Sequence, residues 1–168
     1  MRLGGRGSVL LLLLAAVVLL RPWESWDELS QAESPRSASV IVTRVVDGDT
    51  VEVDLAGEIE DVRYIGVDTP ETVKPGEPVE CFGTQASNFN HRLVEGRRVR
   101  LVFGVERRDQ YGRLLAYVFL GDRFVSAELV RRGLAETLII PPNDRYAGRL
   151  ERLEMTAARR GRGLWGAC

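Results

Sequence analysis

Two acidic turns and a pair of arginines are the parts of this sequence whose residue types and spacing could do chemistry. The first turn is Asp47-Gly48-Asp49-Thr50; the second, Asp68-Thr69-Pro70-Glu71, ends a strand-like run, Arg63-Tyr64-Ile65-Gly66-Val67. Pro70 fixes its own φ and pushes Thr69 out of the helical region, so the strand has to break there. The run therefore carries a cation on a strand and delivers two carboxylates, Asp68 and Glu71, on a rigid turn just after it. One ion pair would account for Arg63 and a single acid, but not for the second acid or for Asp47 and Asp49 upstream. Carboxylates gathered at strand ends suit a hard cation, which prefers oxygen ligands. Guanidinium forks beside them suit a phosphate. A further loop, Asp109-Gln110-Tyr111-Gly112-Arg113, supplies a second arginine. Singly, each piece reads as an ordinary hairpin or loop; the order of all the pieces, each set in strand patterns, is what is specific.

Composition narrows the chemistry. At 168 residues the chain suits one domain, long enough to bury a core. A formal charge of −1 gives no global attraction to nucleic acid, so any basic surface has to be local. The single histidine, His91, leaves almost no material for a Ser-His pair or a multi-histidine zinc site. Its place on a predicted helix, away from Phe89 and Leu93, points it towards solvent. Cys81 and Cys168 are the only cysteines. In an exported chain they are expected to form a disulfide that ties down the C-terminus; two thiols and one histidine disfavour zinc.

The elements that have to position these residues follow from periodicity and punctuation. Residues 1–21 begin with Arg2 and Arg6 and continue as an apolar run over 9–20. That is shorter than the roughly 20 residues of a membrane span and resembles the core of a signal peptide. No small-x-small cleavage site follows directly, so the reading is export, secreted or periplasmic, with the leader either removed or kept as a membrane anchor facing outside. Trp23 and Trp26 would suit a membrane interface. Residues 22–39 are polar and read as a linker. The folded domain is expected over 40–168. Strands are predicted at 40–46, 51–55, 59–67, 98–103 and 114–120, with Asp47-Gly48 and Ala56-Gly57 as turns. Helices are predicted over 84–95 and 126–132, closed by Gly96 and Gly133. A last helix is expected from a cap at Asn143 or Asp144, burying Tyr146, Leu150, Leu153 and Ala157. This is an α+β chain. Five short strands favour a closed barrel, which removes exposed edges, and the five-stranded oligonucleotide-binding (OB-fold) β-barrel with three helices is the natural candidate.

With these pieces in place, the sequence resembles the staphylococcal nuclease (thermonuclease) family. The resemblance covers about 40–165. It rests on Val46-Asp47-Gly48-Asp49-Thr50, Val62-Arg63, Val67-Asp68-Thr69-Pro70-Glu71, Tyr111-Gly112-Arg113 with Leu115-Ala116-Tyr117, Leu129-Val130-Arg131 and Gly133-Leu134-Ala135. It implies the OB-fold barrel with three helices and a Ca2+-dependent phosphodiesterase, an endonuclease that cuts DNA and RNA and leaves 3′-phosphate ends. It further implies that Asp49, Asp68 and the backbone carbonyl of Thr69 ligate the calcium, with Asp47 beside the metal acting through water. Glu71 becomes the general base for the attacking water, Arg63 and Arg113 the two grips on the scissile phosphate, and Tyr111 a neighbour of the nucleotide's terminal phosphate. The residue types agree with those roles. A phosphodiester repels hydroxide until its charge is neutralised, lysine cannot reproduce the arginine fork, and a carboxylate base needs no histidine.

Two departures from the family pattern carry expectations of their own. The segment Leu138-Ile139-Ile140-Pro141-Pro142 lacks the aromatic rings that pack on base and sugar in the family's type member. Stacking contributes roughly 1–3 kcal/mol per base in single-strand binders, so weaker nucleotide affinity or altered base preference is expected. The loop 73–80 holds one lysine, Lys74, which predicts a shallower salt dependence. Two competing functions remain: a non-catalytic OB-fold nucleic-acid-binding module, and an envelope protein using the barrel for protein contacts. Retention of Asp49, Asp68, Glu71, Arg63 and Arg113 together argues against the first; only the hydrophobic leader supports the second.

Overall fold

The computed structural model describes residues 36–72, 76 and 78–168. The leader and most of the expected linker lie outside the described residues. β-Branched residues alternate with polar ones along β1 (Ser37–Asp47), β2 (Thr50–Leu55) and β3 (Glu58–Tyr64), so that Val40, Val42, Val51, Val53 and Val62 all point into one core. The β2–β3 hairpin closes at Ala56 and Gly57, both with positive φ, as a tight hairpin turn requires. A short β4 (Gly66–Asp68) precedes α1 (Gly83–Val94). Then come β5 (Arg98–Arg108), β6 (Leu114–Leu120), β7 (Arg123–Phe124), α2 (Val125–Arg132), β8 (Glu136–Leu138), α3 (Ala147–Arg159) and α4 (Leu164–Ala167). The strands run in the order β3-β2-β1-β5-β6, and a parallel pairing of β3 with β6, from Val62↔Leu114 to Tyr64↔Ala116, closes the ring. This is the expected five-stranded barrel with three main helices, and it has no free edge between β3 and β6.

Several boundaries differ from the sequence expectation for physical reasons. The third strand does not run through to Val67. Gly66, at φ 89°, turns the chain out of the barrel, and a Cβ there would stand 2.5 Å from Leu150 of α3. The departing β4 pairs antiparallel with β8, Gly66↔Leu138 to Asp68↔Glu136, a strand too short to have a period of its own. Neither Asn143 nor Asp144 caps the last helix with its side chain: Tyr146 is the N-cap residue of α3 and makes no side-chain cap bond. The buried Asn143 amide instead accepts from the Glu106 N–H (3.1 Å) and donates to the Glu106 carbonyl (2.9 Å), stitching the 140s to β5.

Cys81, ahead of α1, and Cys168, after α4, form a disulfide across a sequence separation of 87. A loop of that length gives about 4–5 kcal/mol of stabilisation by chain-entropy arithmetic. Cys81→Ser paired with Cys168→Ser is therefore expected to lower the urea midpoint substantially, with the intact and reduced wild type differing by a similar amount. Coincident unfolding curves with and without reductant would remove the disulfide from the stability account.

Candidate active site

The two acidic turns are pressed together because the β1–β2 turn has no side chain at its tip. A Cβ on Gly48 would lie 2.6 Å from the Thr69 hydroxyl, so only glycine allows the approach. On one side of Gly48, Asp47 is buried; its Oδ1 accepts from the Gly48 N–H (2.7 Å) and the Thr72 hydroxyl (2.6 Å). On the other side Asp49 is also buried. Its Oδ2 accepts from the Thr69 N–H (2.8 Å) and hydroxyl (2.9 Å), and its Oδ1 from the Thr50 hydroxyl (3.1 Å). The second turn is thus docked on the first through Asp49 itself.

Arg63 leaves β3 and straddles both turns. Its Nη1 lies 2.6 Å from Asp49 Oδ2 and donates to the Val67 carbonyl at 3.0 Å, while its Nη2 donates to Asp68 Oδ1 at 2.6 Å. Only 14% of its side chain is exposed. Arg113, from the β5–β6 loop, approaches from the other wall. Its Nε donates to Asp109 Oδ2 (2.7 Å) and its backbone N–H to Asp109 Oδ1 (3.0 Å), with the guanidinium 5.5 Å from the exposed Tyr111 ring. Among the described residues its two terminal nitrogens have no hydrogen-bond partner.

A cavity of about 340 Å³ brings the expected site residues to one place: Asp47, Asp49, Arg63, Asp68, Thr69, Glu71 and Arg113 all line it. Arg63 and Arg113 also border a neighbouring cavity of about 330 Å³ with Ile65, Val67, Leu115, Leu138 and Ile140 on its walls, and Tyr111 lines this second space, not the acidic one. Glu71 Oε1 accepts from the Thr72 N–H at 2.9 Å.

Negative charge is in excess here. Burial pushes the Asp47 carboxyl above its ordinary range against the bonds from Thr72 and Gly48, and Glu71 and Asp49 add to the rise. The Asp68 side chain is 59% exposed, yet its carboxyl is also raised, first by loss of hydration in the cleft, with Arg63 opposing and Asp49 and Glu80 adding. Five acids, Asp47, Asp49, Asp61, Asp68 and Glu71, line the cavity against two guanidiniums, Arg63 and Arg113, so the cleft favours a cation. The donors are all hard oxygens, which fits a hard divalent cation such as calcium better than a soft one. Among the described residues, no three Asp, Glu, His or Cys side chains converge into a cage of their own. The fit therefore requires backbone oxygen and water among the ligands, as hard divalent cations accept.

Three supporting residues escaped the sequence analysis. Asn90 of α1 is fully buried; its Nδ2 donates to the Asp47 carbonyl (3.0 Å) and its Oδ1 accepts from the Tyr64 hydroxyl (3.0 Å). Tyr64 in turn donates its N–H to the Asp49 carbonyl (2.9 Å). A polar residue four positions after Ala86, inside an apolar stripe, was the available signal. Glu80 latches the second acidic turn from further along the chain, its Oε2 accepting from the Glu71 N–H and its own N–H donating to the Glu71 carbonyl, both at 2.9 Å. Nothing local marks that pair.

Comparison with known proteins agrees with this geometry. Residues 61–167 match the family model described as staphylococcal nuclease homologue. The thermonuclease of Staphylococcus intermedius is 43% identical over 160 residues, covering 94% of this chain and 95% of that protein. The thermonuclease of Staphylococcus hyicus is 43% identical over 124 residues, 74% of this chain and 73% of the relative. Endonuclease YncB of Bacillus subtilis is 39% identical over 129 residues, 76% of this chain and 61% of its own length. Fold, cleft and relatives converge, and the chain belongs to the staphylococcal nuclease family.

Proposed function

We propose that this protein is a calcium-dependent endonuclease that hydrolyses phosphodiester bonds in DNA and RNA and leaves 3′-phosphate ends. The observation that carries the reading is the convergence of Arg63 and Arg113 on the one cavity that Asp49, Asp68 and Glu71 also line. Asp49, Asp68 and the Thr69 carbonyl would hold the calcium, with Asp47 acting through water. The ion supplies positive charge that neutralises the phosphodiester and orients the attacking water. Glu71 takes a proton from that water as its oxygen bonds to phosphorus. The P–O5′ bond breaks, and the departing oxygen picks up a proton from solvent as a 5′-hydroxyl. Arg63 and Arg113 bind the phosphate oxygens through paired hydrogen bonds that strengthen as negative charge builds on them. Tyr111, beside Arg113, lies at the edge of the neighbouring space where the nucleotide's terminal phosphate would sit.

Export of the chain belongs to the same proposal. It is supported by the apolar leader and by the Cys81–Cys168 pair, which suits an oxidising compartment. The deciding experiment incubates the purified protein with single-stranded DNA in calcium and in chelator, and reads the product ends. Cleavage with calcium, its loss with chelator, and 3′-phosphate termini are expected. Tight binding with no cleavage in either condition would favour the non-catalytic module.

A further inference from the structure

Outside the cleft, three arginines lie over the aromatic cluster where β6, β7 and α3 meet. Phe119 stacks on Phe124 at 5.1 Å, and Tyr146 stands 5.0 Å from Phe124 and 6.1 Å from Phe119. Each ring carries one guanidinium. Arg100 of β5 sits 4.4 Å over Phe119, Arg145 lies 5.3 Å from Tyr146, and Arg149 of α3 lies 5.7 Å from Phe124. All three arginines are exposed. Among the described residues none of them is ion-paired to a carboxylate, whereas Arg44, Arg108, Arg131 and Arg132 are. Stacking engages the flat face of a guanidinium and leaves its N–H edge free for phosphate oxygens. In a chain of formal charge −1, this is a locally built anion platform.

We propose that Arg100, Arg145 and Arg149 form a second contact for the phosphate backbone of the nucleic-acid strand, outside the cleft. The inference rests on the nuclease reading for the identity of its ligand. Continuity with the cleft points to a polymer. Asn143 lines the apolar cavity beside Arg63 and Arg113 and is pinned to Glu106; two residues on, Arg145 begins the platform. The Arg145 N–H donates to the Tyr117 hydroxyl at 3.2 Å, and the Tyr117 ring meets Tyr146 edge-on at 4.8 Å, so the path between cavity and platform is rigid. A strand running out past Asn143 reaches the platform, and a dinucleotide held in the cleft does not. A lipid surface fits less well, because the Phe119 and Phe124 rings beneath the arginines are covered, 8% and 1% exposed, and cannot insert. The platform also supplies charge that the lysine-poor segment 73–80 lacks.

The test measures binding in chelator, where nothing is cut. Affinity for a long single-stranded oligonucleotide is followed against salt for the wild type and for a triple variant, Arg100→Gln, Arg145→Gln and Arg149→Gln. Each lost phosphate contact lowers the slope of log K against log salt by about 0.7 on single strands, so the triple variant should be shallower by about 2. Dinucleotide affinity should not change, and the same three positions as lysine should restore the slope. Arg145→Gln alone, expected to lower the slope by about 0.7, serves if the triple variant does not fold. An unchanged slope, or an equal loss for the dinucleotide, overturns the proposal. So does loss of binding to phosphatidylserine vesicles with an unchanged DNA slope, which reassigns the platform to a membrane. Because cleavage is not read, failure of the nuclease reading would appear separately, as intact DNA in calcium.

Discussion

Glu71→Gln is expected to slow strand cleavage by roughly 10²–10⁴-fold, the usual contribution of a positioned general base, while leaving the fold intact. The asymmetry follows from how Glu71 is held. Its backbone N–H and carbonyl are both engaged by Glu80, and these main-chain bonds survive the substitution. Its Oε1 accepts from the Thr72 N–H, and a glutamine side-chain oxygen can accept the same bond. The amide cannot take a proton from water, so the loss should fall on the chemical step. Single-turnover cleavage at saturating calcium, with a urea midpoint measured alongside, separates chemistry from folding. A variant that keeps turnover within a few-fold of wild type would show that another group takes the proton, and would leave Glu71 as a spacer between its neighbours.

The candidate site was legible in the sequence because its residues are carried by short, local signals. Asp-Gly-Asp has to turn, Asp-Thr-Pro-Glu has to break a strand, and a Tyr-Gly-Arg loop between two strands has to present its arginine; each of these depends on a few adjacent residues. What the sequence did not reveal depends on distant parts of the chain. The Gly66 kink separates β4 from β3 because Leu150, more than eighty positions later, occupies the space a side chain would need. β8 exists only as the partner of β4. Asn143 carries a good capping residue's side chain, but the backbone of Glu106 on β5 claims it first. Asn90 follows the same logic inside α1: a buried amide in an apolar stripe signals an obligation to bond, but the partners, Tyr64 and Asp47, can be named only once the barrel is closed. Local chemistry was therefore readable, while the supports that hold it in place required the tertiary fold.

Removing the two arginines should have matching effects on catalysis and different effects on stability. Either Arg63→Ala or Arg113→Ala is expected to reduce cleavage by about 10³-fold or more, since an arginine on a transferring phosphate contributes roughly 10³–10⁵. Arg63, however, is also the counter-charge that binds the two acidic turns together. Its loss leaves the buried Asp49 without its cationic partner and frees Asp68. Breaking a buried pair from one side costs about 3–5 kcal/mol, so Arg63→Ala should unfold at lower urea in chelator. Calcium should recover part of that loss, because an ion that binds only the folded state stabilises it by mass action and would supply positive charge to the same carboxylates. Among the described residues Arg113 pairs only with Asp109, its side chain is 30% exposed, and an exposed pair contributes about 0–1 kcal/mol. Arg113→Ala should therefore keep the wild-type urea midpoint and respond to calcium as the wild type does. Urea unfolding of both variants across a calcium titration, with single-turnover cleavage measured in parallel, reads all of these differences. Equal destabilisation of the two variants, or wild-type turnover in Arg113→Ala, would break the division of labour: one arginine that both assembles the cation site and grips phosphate, and one that only grips.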